Sequence, residues 1–173
     1  MSLKFKQGAE VNGSMGLLIS ILVRYPEVGT VNYDPDRRVI KFTFLLQQES
    51  GKTKLPQIAQ SIQSALEVFH DLEGLHPQTV SVESHYDEGL CSLEVFRDVE
   101  TLSLSEITLL IDLLNQQAGQ VILSEEYVEG LQEDEKLWQE ELISHMLDSL
   151  RSGSYDQQVY AFREEGRVMV YNK

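Results

Sequence analysis

Val39-Ile40-Lys41-Phe42-Thr43-Phe44-Leu45-Leu46 is the stretch from which the fold is read. Ile40, Phe42, Phe44 and Leu46 alternate with Val39, Lys41, Thr43 and Leu45, a period of two that belongs to a strand with one buried face. The second face is mixed rather than charged, which suits a strand inside a sheet. Upstream, Asp34-Pro35-Asp36-Arg37 is a turn sequence that joins this strand to a partner over Val28 to Tyr33.

Downstream of a polar loop at 47–54, Pro56 opens a helix at a position where a missing N–H is harmless. Ile58, Ile62, Ala65, Leu66, Phe69 and Leu72 recur at helical spacing, and Gly74 stands where a left-handed cap belongs. Thr79 to Tyr86 and Leu90 to Arg97 then alternate as strands around the turn Asp87-Glu88-Gly89. Ser103-Leu104-Ser105-Glu106 has the capping-box form, in which Glu106 reaches back to the Ser103 N–H. It opens a helix that buries Ile107, Leu110, Ile111 and Leu114, and a short strand is expected over Gln120 to Leu123.

The resulting order from Val39 to Leu123 is strand–helix–strand–strand–helix–strand. The expected fold is therefore α+β: a ferredoxin-like βαββαβ core with an N-terminal helix and extra strand, plus a C-terminal long helix and β-hairpin. Residues 1–27 form the N-terminal helical segment, 28–124 the core, and 125–173 a helix and hairpin packed on that core rather than independent of it. The hairpin strands are Val159 to Arg163 and Arg167 to Tyr171, turning at Glu165-Gly166.

The N-terminal helix runs from Gly13 to Tyr25 and stops at Pro26. Met15, Leu18, Ile19 and Leu22 share a face, yet Leu17 and Ile21 make the helix apolar most of the way round. Such a helix must be covered. We expect a second copy to supply the cover, making Leu17, Leu18 and Ile21 an interface in a homodimer. The competing cover is the C-terminal helix, folding back through Trp138, Leu142 and Met146. The apolar run Met15–Val23 is far shorter than the roughly 20 residues of a bilayer span, and Arg24-Tyr25-Pro26-Glu27 follows where a signal peptide would have small residues. The expected setting is the cytoplasm, with no membrane partner.

The 173 residues carry a net charge of −14. Residues 1–57 balance at +3 and residues 58–173 at −17; between Leu55 and Glu135 the only Lys or Arg is Arg97. An acidic surface of that kind repels phosphate backbones, so nucleic acid is not an expected partner. The basic group Arg24, Arg37, Arg38, Lys41, Lys52 and Lys54 is read as pairing with the acidic remainder. Cys91 is the single cysteine, so neither an intramolecular disulfide nor a thiolate metal cluster can form within one chain.

Chemistry-bearing motifs are sparse. No nucleophile elbow or glycine-rich phosphate loop is present. Cys91 sits among Leu93 and Val95 as a small hydrophobe. His70, Glu73 and His76 cluster at the end of one helix and in its loop, and they are the residues to test for metal. His85 and Asp87 stand a strand length away, roughly 25 Å from His76, so the two sets cannot share an ion. We expect no cofactor and no tightly held metal. The reading that follows is a non-enzymatic, self-associating protein-interaction or regulatory domain. The alternatives are a small-molecule or metal-binding regulatory domain, or an enzyme whose site is assembled between subunits.

Overall fold

The computed structural model describes residues 13–47, 54–119, 122–123, 131–153 and 157–172. Among them ten elements follow in order: α1 (Gly13–Arg24), β1 (Thr30–Asp34), β2 (Val39–Leu46), α2 (Leu55–Glu73), β3 (Val80–Asp87), β4 (Leu90–Asp98), α3 (Leu104–Ala118), α4 (Glu133–Ser152), β5 (Val159–Glu164) and β6 (Arg167–Asn172). The strands make one antiparallel sheet in the order β3-β4-β2-β1-β5-β6. No described helix is long and apolar enough to cross a membrane.

The alternation in β2 sets the register of the whole sheet. Phe42 faces Val31 on one side and Val95 on the other, and Val31 in turn faces Ala161. All four are buried, as are Ile40, Phe44 and Leu93. Turn chemistry holds the β1–β2 connection: Asp34 Oδ1 accepts from the backbone N–H of Asp36 at 3.0 Å, and Arg38 takes a left-handed backbone with φ 55°. At the end of α2, Gly74 adopts φ 69°, where a β-carbon would be strained, and the N–H of Leu75 closes on the His70 carbonyl.

β1 flanks β2 from Val39 to Thr43. A ferredoxin-like core would place its fourth strand there. Ile122 makes one bridge to Leu46, and the Leu123 N–H donates to the Leu45 carbonyl at 2.8 Å, beyond the point where β1 begins. Gln120 and Val121 lie outside the described residues, as does the stretch 125–130 on which the long helix is expected to start. The C-terminal hairpin then adds to the free side of β1.

Leu17, Leu18 and Ile21 are each fully buried within a single chain. α1 packs on β1, β5 and β6, and α4 packs over α1. The surface assigned above to a second copy is therefore already inside this chain's own core. The covering face of α4 also differs from the expected one. Ile143, Leu147 and Leu150 are buried, Leu142 and Met146 half-buried, and Trp138 is 61% exposed. A helix turns 100° per residue, so moving the buried stripe from 138–142–146 to 143–147–150 rotates it by about a third of a turn.

Arginines tie the layers together. Arg163 points inward from β5 and donates Nη1 to the carbonyls of Pro26 (3.2 Å) and Val28 (2.8 Å) and Nη2 to that of Leu22, which caps the end of α1. Arg38 does the same for α4, donating Nη2 to the Leu150 and Arg151 carbonyls while Nε holds Glu100 at 2.7 Å. Arg24 meets Glu140 at 3.6 Å and Lys41 meets Glu94 at 3.0 Å. Much of the basic N-terminal group is thus spent inside the chain.

Candidate functional site

The helices that pack on the sheet, α1 against β1, β5 and β6 and α2 against β3 and β4, lie on the face carrying Val31, Phe42 and Val95. The alternate residues of each strand point the other way. Among the described residues of that second face, only Val39 and Asp98, paired at the ends of their strands, are buried. This face changes character from one end to the other. Toward β6 it is aromatic: Tyr160 and Phe162 lie 5.5 Å apart between ring centroids, and Phe162 stacks on Tyr171 at 5.6 Å with the planes 10° apart. Met169 is cross-strand from Phe162, and Glu164 is opposite Arg167, so the patch carries no net charge. Toward β3 it is ionic, with Glu83 directly opposite Glu94 and His85 two residues along from Glu83.

In that ionic end, His85 Nε2 lies 2.7 Å from Glu94 Oε1 and 3.6 Å from Glu83 Oε2. Lys41 approaches the other Glu94 oxygen at 3.0 Å and sits 6.0 Å from the Phe96 ring centre. Among the described residues this is the group of three His, Cys, Asp or Glu side chains whose ligand atoms all fall within 4.8 Å of one another.

The sequence candidates His70, Glu73 and His76 do not converge in this way. His70 is buried, Glu73 and His76 are exposed, and the His70 ring is committed elsewhere. Its Nε2 donates to Glu106 Oε1 at 2.9 Å while Nδ1, also buried, makes no hydrogen bond. Glu106 in turn receives Arg97 through Nε at 2.5 Å and Nη2 at 2.8 Å, and Arg97 Nη1 donates to Asp98 at 2.5 Å and to the Thr79 carbonyl at 2.9 Å. Thr101 bridges Arg97 Nη2 to Asp98 Oδ2. Burial pushes the Asp98 carboxyl up, but hydrogen bonds from Thr101 and the Thr79 N–H, with the adjacent Arg97 charge, hold it below the ordinary carboxylate value. This cluster joins α2, β4 and α3 and turns its polar atoms on one another.

Only half of the expected capping box forms. Ser103 Oγ accepts from the Glu106 N–H at 3.2 Å, yet the Glu106 carboxylate turns inward to Arg97 and His70. A buried guanidinium is a stronger partner for it than a backbone N–H at a helix end.

A cleft of about 300 Å³ lies between the end of α1 and α3, lined by Arg24, Tyr25, Glu27, Thr108, Asp112 and Asn115 among others. Its polar groups are largely matched to each other. The Tyr25 hydroxyl meets Thr108 Oγ1 at 3.1 Å, Asn115 donates to Glu27 at 2.9 Å, and the Arg24 guanidinium lies 4.7 Å from the Tyr25 ring centre. Burial raises the Tyr25 hydroxyl above its ordinary value, which keeps it a neutral hydrogen-bonding group.

No protein-family model, curated protein or solved structure matches the chain.

Proposed function

We propose that this chain is a non-enzymatic, self-associating interaction domain, and that two copies meet along β6 and the aromatic surface beside it. The observation that carries this reading is the uncharged Tyr160–Phe162–Tyr171 patch next to the last strand of the described sheet. Edge strands pair with other strands unless charge or shape prevents it, and β6 holds one cation and no carboxylate. β3, at the opposite edge, carries Glu83, His85 and Asp87. Two chains at −14 each repel, so the contact of lowest Coulomb cost is the uncharged end. An isologous contact uses one patch twice. Within this reading, the run from β2 to α3 with the Ile122 contact is a ferredoxin-like unit whose fourth strand has been displaced by β1.

Association of this kind tightens when salt screens the repulsion. Light scattering behind size exclusion should give twice the chain mass, with the dimer fraction rising between about 0.05 and about 0.5 M salt as the Debye length contracts. Met169→Glu combined with Tyr171→Glu should yield a monomer with an unchanged circular dichroism spectrum. A monomer at every salt and protein concentration, or a dimer indifferent to both substitutions, rejects the reading.

A further inference from the structure

We propose that Glu83, His85 and Glu94 form a mononuclear site for a divalent transition cation of the zinc type, on the open face at the β3–β4 end of the sheet. The inference goes beyond self-association and does not depend on it. Three features carry it. The residues sit on two paired strands, so backbone hydrogen bonds and not loop conformation set their spacing. Glu83 and His85 are two apart on β3 and therefore share a face, while Glu94 is the direct cross-strand partner of Glu83. The imidazole, finally, reaches into the space between the two carboxylates.

Like charges placed directly opposite in an antiparallel pair are unfavourable. Glu83 and Glu94 are so placed, and a dication between them turns that repulsion into ligation. Ligand atoms in a tetrahedral zinc site lie roughly 3.4 Å apart, given metal–ligand bonds of about 2.1 Å. The three here already converge within 4.8 Å, so rotation about the outer side-chain torsions brings them onto one ion. Two carboxylates and a neutral imidazole cancel the charge of the ion. One nitrogen and two oxygen donors favour zinc-type ions over calcium or magnesium, which prefer sites made wholly of oxygen. With three protein ligands the ion keeps an open position, and with Glu83 and His85 about half exposed it exchanges with solvent.

Lys41 is the competing cation. Its ammonium neutralises one Glu94 oxygen, so it weakens the site without blocking it. This gives the test its second arm. Chelator-stripped protein is titrated with Zn²⁺ by calorimetry, and with Co²⁺ while visible absorption is followed. One ion per chain should bind, with a cobalt ligand-field spectrum. His85→Ala and Glu83→Gln should each weaken binding at least about tenfold and remove the spectrum, and Lys41→Met should tighten it. Glu83 and His85 are surface side chains, so both variants should keep the wild-type circular dichroism. Diffuse weak binding that is the same in wild type and His85→Ala, or no saturable binding at all, overturns the proposal. So does a tight site that survives both Glu83→Gln and His85→Ala, because its ligands then lie elsewhere.

Discussion

Where β4 meets α2 and α3, the buried polar groups are a guanidinium, a carboxylate and an imidazole, with the Asp98 carboxylate at the end of β4 beside them; where β5 and β6 meet α1, beneath α4, the interior is mainly aliphatic, with Ser14, Ser20 and one arginine turned to backbone carbonyls. The open face follows the same division, ionic above the first interior and aromatic above the second. The two halves should therefore fail differently. A buried ion cluster depends on every member, because each charge left behind has lost its water and its partner together. An aliphatic layer degrades by degrees, since what is lost scales with the cavity that remains.

Arg97→Met is the harshest way to break the first half. It removes the one Lys or Arg of the cluster and leaves Asp98 and Glu106, both buried, with no guanidinium between them. We expect a loss of about 3–5 kcal/mol in urea unfolding. A loss below about 1 kcal/mol would mean that the cluster is wet or rearranges freely, and the contrast between the halves would go with it.

Leu17→Ala probes the second half. Leu17 is fully buried inside its own chain, so the loss should be about 3 kcal/mol. The oligomeric mass should not change, because α1 is covered by α4 and the sheet and not by a second copy. A variant that stayed as stable as wild type but dissociated would restore Leu17, Leu18 and Ile21 to an interface.

The contrast is partly legible in the residues themselves. The period of two in β2, β3 and β4 and the helical spacing of α2 and α3 define that half element by element. The same alternation places Arg97 on the inward set with Cys91, Leu93 and Val95, and an inward arginine needs a carboxylate. Glu106 is hidden by its capping-box position, which offers it a cheaper local role. The tight turn at 87–89 likewise implies the Glu83–Glu94 pairing, since those residues are nearly equidistant from it. Long-range order is what local pattern cannot supply. Nothing local says that β5 pairs with β1, far away in the chain, and it is this pairing that brings the hairpin under α1 and fixes which stripe of α4 is buried. Apolar residues all round a helix say that it is covered, not by what.

The smallest expected effect refines the ionic half by separating charge from shape. Asp98→Asn keeps the oxygen that accepts from Thr79 and Arg97 but removes the negative charge. Asp98 titrates below its ordinary value when folded, so the folded chain binds its proton less readily than the unfolded chain. Its ionisation thus adds stability at pH values above the unfolded value of about 3.9, and that contribution disappears as pH falls through the lower folded value. Burial works against the shift, which is why the effect should be modest. Measured as urea stability against pH, wild type should exceed Asp98→Asn at neutral pH, and the gap should close as the solution is acidified below about pH 4. A gap of the same size at neutral and acid pH would assign the role of Asp98 to packing and hydrogen-bond geometry, and the charge would then contribute nothing to the difference between the two halves.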